Sequence, residues 1–280
     1  MAFEQATPPG LLAYDAPTDG ADEYAYLAGL LRPQLEAGDL VLAILDERCA
    51  EPLHERLLAV RSALETTRLV VHVTSLPPLA AAALVRTLTE LDADGVVPPG
   101  VLASGMARLE RAVVSAAWLG SVAKLRHPSP SLGMHARSWF KSTGFAAVLD
   151  DAPRVVRHKG PDAVIPLPEL DPSVDHRVFV GTGLAELDPV EATLAQLEGT
   201  EIVHVPSRRS SVAWWGTENL VELAILPRSP DALGRIVIGA AEGRDETVRC
   251  DWCGEIVAAA ICPLCGAATS APLAVSGGTA

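Results

Sequence analysis

The sequence predicts an α/β N-terminal half followed by a β-richer α+β second half, closed by a short cysteine-rich segment. Three observations carry this. Apolar strand-like runs alternate with helical patterns over the first hundred residues, the signature of parallel pairing with right-handed crossovers. Beyond about residue 140, short apolar runs and turn residues follow one another more closely. Finally, four of the five cysteines fall between positions 250 and 265.

The elements follow in chain order. Residues 1–21 are rich in Pro, Gly and Asp and are expected to be an irregular lead-in. Residues 22–35 read as a helix with Tyr26, Leu27, Leu30 and Leu31 near one face, broken by Gly38-Asp39. Residues 40–45 form a continuous apolar run, as in a strand covered on both faces. A helical pattern spans 51–66 through Leu53, Leu57, Leu58 and Leu64, and 68–74 reads as the next strand. Pro77-Pro78 then opens an Ala/Leu-rich helix to about Leu91, proline being tolerated in a first turn. A longer helix is expected over 101–125, because Leu102, Met106, Leu109 and Val113 recur at helical spacing. Residues 127–133, His-Pro-Ser-Pro-Ser-Leu-Gly, are a loop by composition. Strands are expected at 144–149 and 154–158 around an Asp-Asp-Ala-Pro turn, at 163–167, at 177–180 and at 202–205. Asp188-Pro189-Val190-Glu191 signals a helix start. A hairpin is expected from 211–215 and 220–226, with a last short strand at 236–238. The tail is small and polar and is expected to be disordered.

The cysteines read Cys250-Asp251-Trp252-Cys253-Gly254, a spacer, then Cys262-Pro263-Leu264-Cys265-Gly266. Two C-x-x-C pairs this close point to a metal site rather than to disulfides. Two residues between cysteines let a tight turn aim both sulfurs at one ion. The glycine after each pair can adopt the left-handed conformation such a turn needs. Four thiolates suit tetrahedral zinc, or iron in the same shape, and leave no open catalytic position. The segment resembles the short zinc ribbons whose second knuckle reads C-P-x-C-G. Rubredoxins carry knuckles of the same kind and bind iron, but theirs lie much further apart and enclose an aromatic core. Here Trp252 is the one aromatic residue near the site. The resemblance covers about 20 residues and implies Cys250, Cys253, Cys262 and Cys265 as ligands of Zn2+, with iron as the alternative. The fold expected is thus an α/β N-terminal half, a β-richer α+β second half and a small C-terminal zinc ribbon. The corresponding segments are 1–21, 22–130, 131–248, 249–267 and 268–280.

Composition limits function. Hydrophobic residues make up 49% and charged residues 20%, so the chain is rich in core material. Acidic residues number 35 against 22 basic, and the net charge of −13 disfavours nucleic acid and anionic membranes. No apolar run reaches the roughly 18 residues a membrane helix needs. No basic residue precedes Arg32, so a secretory leader is not expected and a reducing cytoplasm is.

Other sites carry less. Val180-Gly181-Thr182-Gly183 follows a strand, but Glu186 stands where a dinucleotide fingerprint needs its third glycine, so an ordinary turn is expected. Cys49 and His54 are five apart, on different faces of a helix, and Cys49 reads as a small buried hydrophobe. His72 and His204 lie in apolar strands and read as core or strand-end residues. Arg154, Arg157, His158 and Lys159 form one small basic cluster and Arg208-Arg209 another, read as solvated strand edges. Trp214-Trp215, placed in a strand, would face opposite sides. A pocket lined by His135, Arg137 or His158 would be needed to support an enzyme.

With no catalytic motif and one metal motif, the function expected is that of a non-catalytic cytoplasmic accessory or adaptor protein. Its zinc ribbon would be a rigid appendage making contact with a protein partner. The alternative is a rubredoxin-like electron carrier or a metallocentre-assembly factor, since some maturation proteins carry C-P-x-C-G knuckles.

Overall fold

The structure is a computed structural model describing residues 22–48, 50–93, 97–138, 144–160, 162–182, 187–197, 199–206, 209–239 and 247–269. It divides into two compact units. Unit 1 takes the described residues of Met1–Ser75, Thr87–Arg108 and Gly234–Ala280, and unit 2 takes Leu76–Arg86 and Leu109–Leu233. The lead-in, Cys49 and the tail from 270 lie outside the described residues.

Unit 1 begins with α1 (Glu23–Glu36), capped by Asp22, whose carboxylate accepts from the Tyr24 and Ala25 N–H groups at 3.0 and 3.4 Å. This satisfies donors that a helix start leaves unpaired. Strand β1 (Val41–Asp46), helix α2 (Ala50–Ala63) and strand β2 (Leu69–Thr74) follow. The strands pair in parallel from Val41↔Leu69 to Asp46↔Thr74, as the strand–helix–strand order predicts. Successive side chains of a strand point to opposite faces. Val41, Ala43, Leu45, Leu69 and Val71 therefore join the cluster with α1 and α2. Leu40, Leu42 and Val70 join a second cluster with Ala103, Val257, Leu264 and the cysteines. Ala103 belongs to α4 (Pro99–Arg111), and the rest of that cover is the ribbon, with its hairpin of β9 (Val248–Arg249) and β10 (Ile256–Val257). The ribbon is therefore no appendage: its apolar side is part of the core of unit 1.

Helices α3 (Pro78–Ala93), α4 and α8 (Pro230–Ile238) each contribute residues to both units.

Unit 2 is built on a six-stranded sheet in the order β5-β4-β3-β8-β6-β7. Its strands are β3 (Val114–Leu119), β4 (Gly144–Leu149), β5 (Arg154–His158), β6 (His176–Thr182), β7 (Glu201–Pro206) and β8 (Leu220–Pro227). Neighbours run antiparallel except β6 and β7. Strand β8, paired on one side with β3 and on the other with β6, has every residue buried. One face carries Ala116, Ala146, Val148, Val178, Val180, Val221, Leu223 and Ile225 under Ile165 and Val190 of α6 (Asp188–Ala195). The other carries Ala117, Leu119, Phe145, Ala147 and Leu220 under Trp214 and Trp215 of α7 (Arg209–Trp215). The short α5 (Leu132–Arg137) begins at the last two residues of the segment expected as loop.

Four sequence expectations need correction. The helix expected over 101–125 ends at Arg111, and Val114–Leu119 is strand β3. Its small residues fit a helical period and a strand equally well, and pairing with β4 and β8 decides between them. Residues 211–215 are helical, so the expected hairpin is absent. Gly216, at φ +72°, closes that helix by donating to the Val212 carbonyl at 2.9 Å. Residues 236–238 end helix α8, whose start carries Pro230 and Asp231 in the first turn. Residues 163–167 form no strand; the Ile165 N–H instead donates to Thr193 Oγ1 at 2.9 Å.

Candidate functional site

The four cysteines converge. Their sulfurs all lie within 4.8 Å of one another, with Cys250···Cys265 at 3.5 Å and Cys253···Cys262 at 3.6 Å. A tetrahedral ion with bonds of about 2.3 Å places its sulfurs about 3.8 Å apart, so the donor set fits such an ion. The knuckles are near copies. Gly254 donates to the Cys250 carbonyl and Gly266 to the Cys262 carbonyl, each at 2.9 Å. Both glycines sit at positive φ, +77° and +76°. Backbone N–H groups of Cys253 and Trp252 point at the Cys250 sulfur and lower its thiol to about 7. Burial pushes the Cys253 thiol up to about 12. The knuckles differ in what surrounds them: Leu264 is fully buried, whereas its counterpart Trp252 is 80% exposed.

A second place in unit 1 lies where the parallel strands β1 and β2 end together. Asp46 pairs with Thr74, the Glu47 N–H donates to the Thr74 carbonyl at 3.0 Å, and the Arg48 N–H donates to Asp46 Oδ1 at 3.0 Å. Thr74 is buried, and Ser75 follows it into solvent. The carboxyl end of parallel strands is where open α/β sheets take ligands. Adjacent Thr and Ser put two hydroxyl donors there. Sequence reading passed over this pair; the signal was two hydroxyls closing an apolar strand, one residue short of Pro77-Pro78.

Unit 2 holds a buried acid, Glu222, on the central strand. Trp215 Nε1 donates to its Oε1 at 2.5 Å, the Ser211 hydroxyl also bonds the carboxyl, and burial raises its pKa above the ordinary value. Nothing in the sequence marked this residue, because it lies in a run read simply as strand.

The remaining candidates do not assemble. His54 is half-buried on α2, and Cys49 lies outside the described residues. Of the two histidines expected at core or strand-end positions, His72 is half-buried on β2 and His204 is exposed on the edge strand β7. His158 is buried on β5, and burial lowers its pKa; His135 is half-buried and Arg137 exposed on α5. Gly181 is buried in β6, and Gly183 and Glu186 lie outside the described residues. Arg154 pairs with Asp150 at 2.6 Å and Arg157 and Lys159 are exposed. Arg209 is exposed at the start of α7, while Arg208 is not among the described residues. Trp214 and Trp215, expected on opposite faces of a strand, are both buried on a helix with ring centroids 4.5 Å apart. No helix among the described residues is long and apolar enough to cross a membrane.

No family model matches the sequence, and no curated protein does. Solved structures do match the fold. A fatty acid (stearic acid)-binding protein from Eubacterium ventriosum aligns with a TM-score of 0.56 at 11% identity, over 75% of this chain and 77% of that one. A DegV family protein from Corynebacterium glutamicum aligns with a TM-score of 0.51 at 13% identity, over 74% and 83%. A DegV lipid-binding protein from Thermotoga maritima aligns with a TM-score of 0.51 at 15% identity, over 73% and 74%. The chain thus has a fold seen in DegV-type structures. That finding overturns the functions expected from the cysteine segment alone. The accessory or adaptor reading, and its electron-carrier or metallocentre-assembly alternative, treated the body as an unassigned scaffold. About three quarters of the chain instead shares its fold with proteins described as lipid binders.

Proposed function

We propose that this chain binds a long-chain fatty acid. The observation that carries the reading is the fold shared, over about three quarters of the chain, with structures described as binding stearic acid or lipid. The carboxyl edge of the β1–β2 sheet suits the acid end of such a ligand, because Thr74 and Ser75 offer hydroxyl donors to a carboxylate. The reading requires no covalent chemistry. The net charge of −13 sets it apart from binding to nucleic acid.

The cysteine centre has a separate role in this reading. Cys250, Cys253, Cys262 and Cys265 would hold a structural Zn2+. A four-thiolate donor set with no open position supports this assignment. Zinc-bound thiolates accord with residence in a reducing compartment.

The test is native mass spectrometry of the purified protein with stearate added, beside a Thr74→Ala/Ser75→Ala variant. One acyl chain per protein chain, weakened about tenfold or more in the variant, is expected from loss of hydrogen bonds to a charged group. Absence of any stearate adduct would refute the reading.

A further inference from the structure

A two-stranded sheet is marginal alone, and parallel strands like β1 and β2 are covered on both faces. On one face of the β1–β2 sheet, α1 and α2 supply it. On the other, Leu40, Leu42 and Val70 meet Ala103 of α4, and Val257, Leu264 and the buried Cys250 and Cys262 of the ribbon. That second cover is too small to hold its own shape. Its hairpin strands have two residues each, and modules of this size depend on a bound ion for their fold.

The ribbon is tied firmly to the rest of unit 1. Arg61 of α2 donates to the Leu264 carbonyl. Arg68 pairs with Glu255 at 2.6 Å. Arg108 of α4 donates to the Ala258 carbonyl at 3.3 Å, and the Ala258 N–H donates to Ser104 Oγ at 3.2 Å. At Gly100 a Cβ would stand 2.5 Å from the Ile256 carbonyl oxygen, so the ribbon backbone rests directly on α4. The second knuckle docks through the buried Leu264, while its counterpart Trp252 in the first knuckle is exposed.

We propose that the ion held by the four cysteines keeps the second cover on the β1–β2 sheet, so that metal occupancy controls whether the carboxyl edge of that sheet is ordered to receive its ligand. The part concerning the ligand rests on the fatty-acid reading above. The sulfurs of Cys250 and Cys262 belong to the same buried cluster as Val70. Losing the ion therefore loosens the ribbon where it touches β2, and β2 ends at Thr74, on the proposed ligand edge. The two clusters of the six-stranded sheet of unit 2 include none of the described residues 247–269.

Hydrogen exchange on the full chain tests this in three states: zinc-loaded, stripped by chelator under reducing conditions, and reloaded. Stripping is expected to speed exchange of β1 and β2 amides about tenfold or more, as expected when a local unit opens. Reloading should reverse it, and β3, β4, β6 and β8 should not change. The variant Leu264→Ala keeps every cysteine; it should bind one zinc per chain and still speed β2 exchange. Faster exchange confined to 247–269, or equal loss of protection in both units, would overturn the proposal. Stearate binding separates the two readings. If β1 and β2 loosen but neither form binds stearate, the fatty-acid reading fails and the metal-held cover stands. If both forms bind stearate equally, the fatty-acid reading stands and metal control is refuted.

Discussion

Replacing Glu222 with Gln should remove a specific part of the pH dependence of stability. Glu222 lies on β8 between Ala117 of β3 and Gly181 of β6, and is 1% exposed. Oε1 accepts from Trp215 Nε1, and Oε2 is buried with no hydrogen-bond partner. Burial raises the pKa, and the hydrogen bonds from Ser211 and Trp215 offset only part of the rise. A carboxyl raised in the folded state contributes stability that is fully present below its unfolded value, here 4.5, and lost as pH rises through the folded value. Within that window the loss reaches at most about 1.4 kcal/mol per pH unit. The substituted amide would keep an acceptor for the indole and cannot ionise. Its hydrogens gain no partner where Oε2 had none, an offset of about 1–3 kcal/mol that does not depend on pH. Urea unfolding followed by tryptophan fluorescence from pH 5 to 8 compares the two proteins. The parent should lose stability relative to Glu222→Gln as pH rises. Parallel curves across the range would refute the claim that burial raises the Glu222 pKa.

Three further outcomes follow from particular contacts. Gly105→Ala places a Cβ 2.5 Å from Val237 Cγ1 and 2.7 Å from Val237 Cα. The overpacking should cost about 1–3 kcal/mol and outweigh the roughly 1 kcal/mol gain in helix propensity, which a urea midpoint would read. Cys253→Ser should abolish stoichiometric zinc, measured by elemental analysis, and lower the melting temperature of unit 1 rather than merely freeing a tail. Glu201, held below its ordinary pKa chiefly by its bond from Arg177, contributes stability above the unfolded value that is lost as pH falls through the folded one. Arg177→Met should flatten the acid limb of the stability curve, though only slightly, because the carboxylate is about a third exposed.

The sequence was most legible where one period dominated. The run 40–45 and the run 68–74 became parallel strands because continuous apolar stretches bounded by turn residues admit little else. The paired C-x-x-C knuckles gave the cysteine cluster outright, since their spacing encodes the turn that brings the sulfurs together. Ambiguous runs failed. Val114–Leu119 is small and apolar and became the third strand of a sheet, pairing with β8 more than a hundred residues away. Ser211–Trp215 was read as one arm of a hairpin with 220–226, yet it caps the sheet as a helix over Phe145 and Leu220. Periodicity could not reveal that Leu264 enters the core of unit 1 while Trp252 does not, since both occupy the same position in their knuckles. Nor could motif reading find Thr74 and Ser75, which acquire meaning only when β1 and β2 end side by side.

Stearate binding to the zinc-loaded full chain tests the central claim most directly. Native mass spectrometry should show one acyl chain per protein chain, and that species should fall sharply in the Thr74→Ala/Ser75→Ala variant. A folded, zinc-loaded protein that takes up no stearate, or that binds it equally well without those hydroxyls, would contradict the proposed function or its proposed site, respectively.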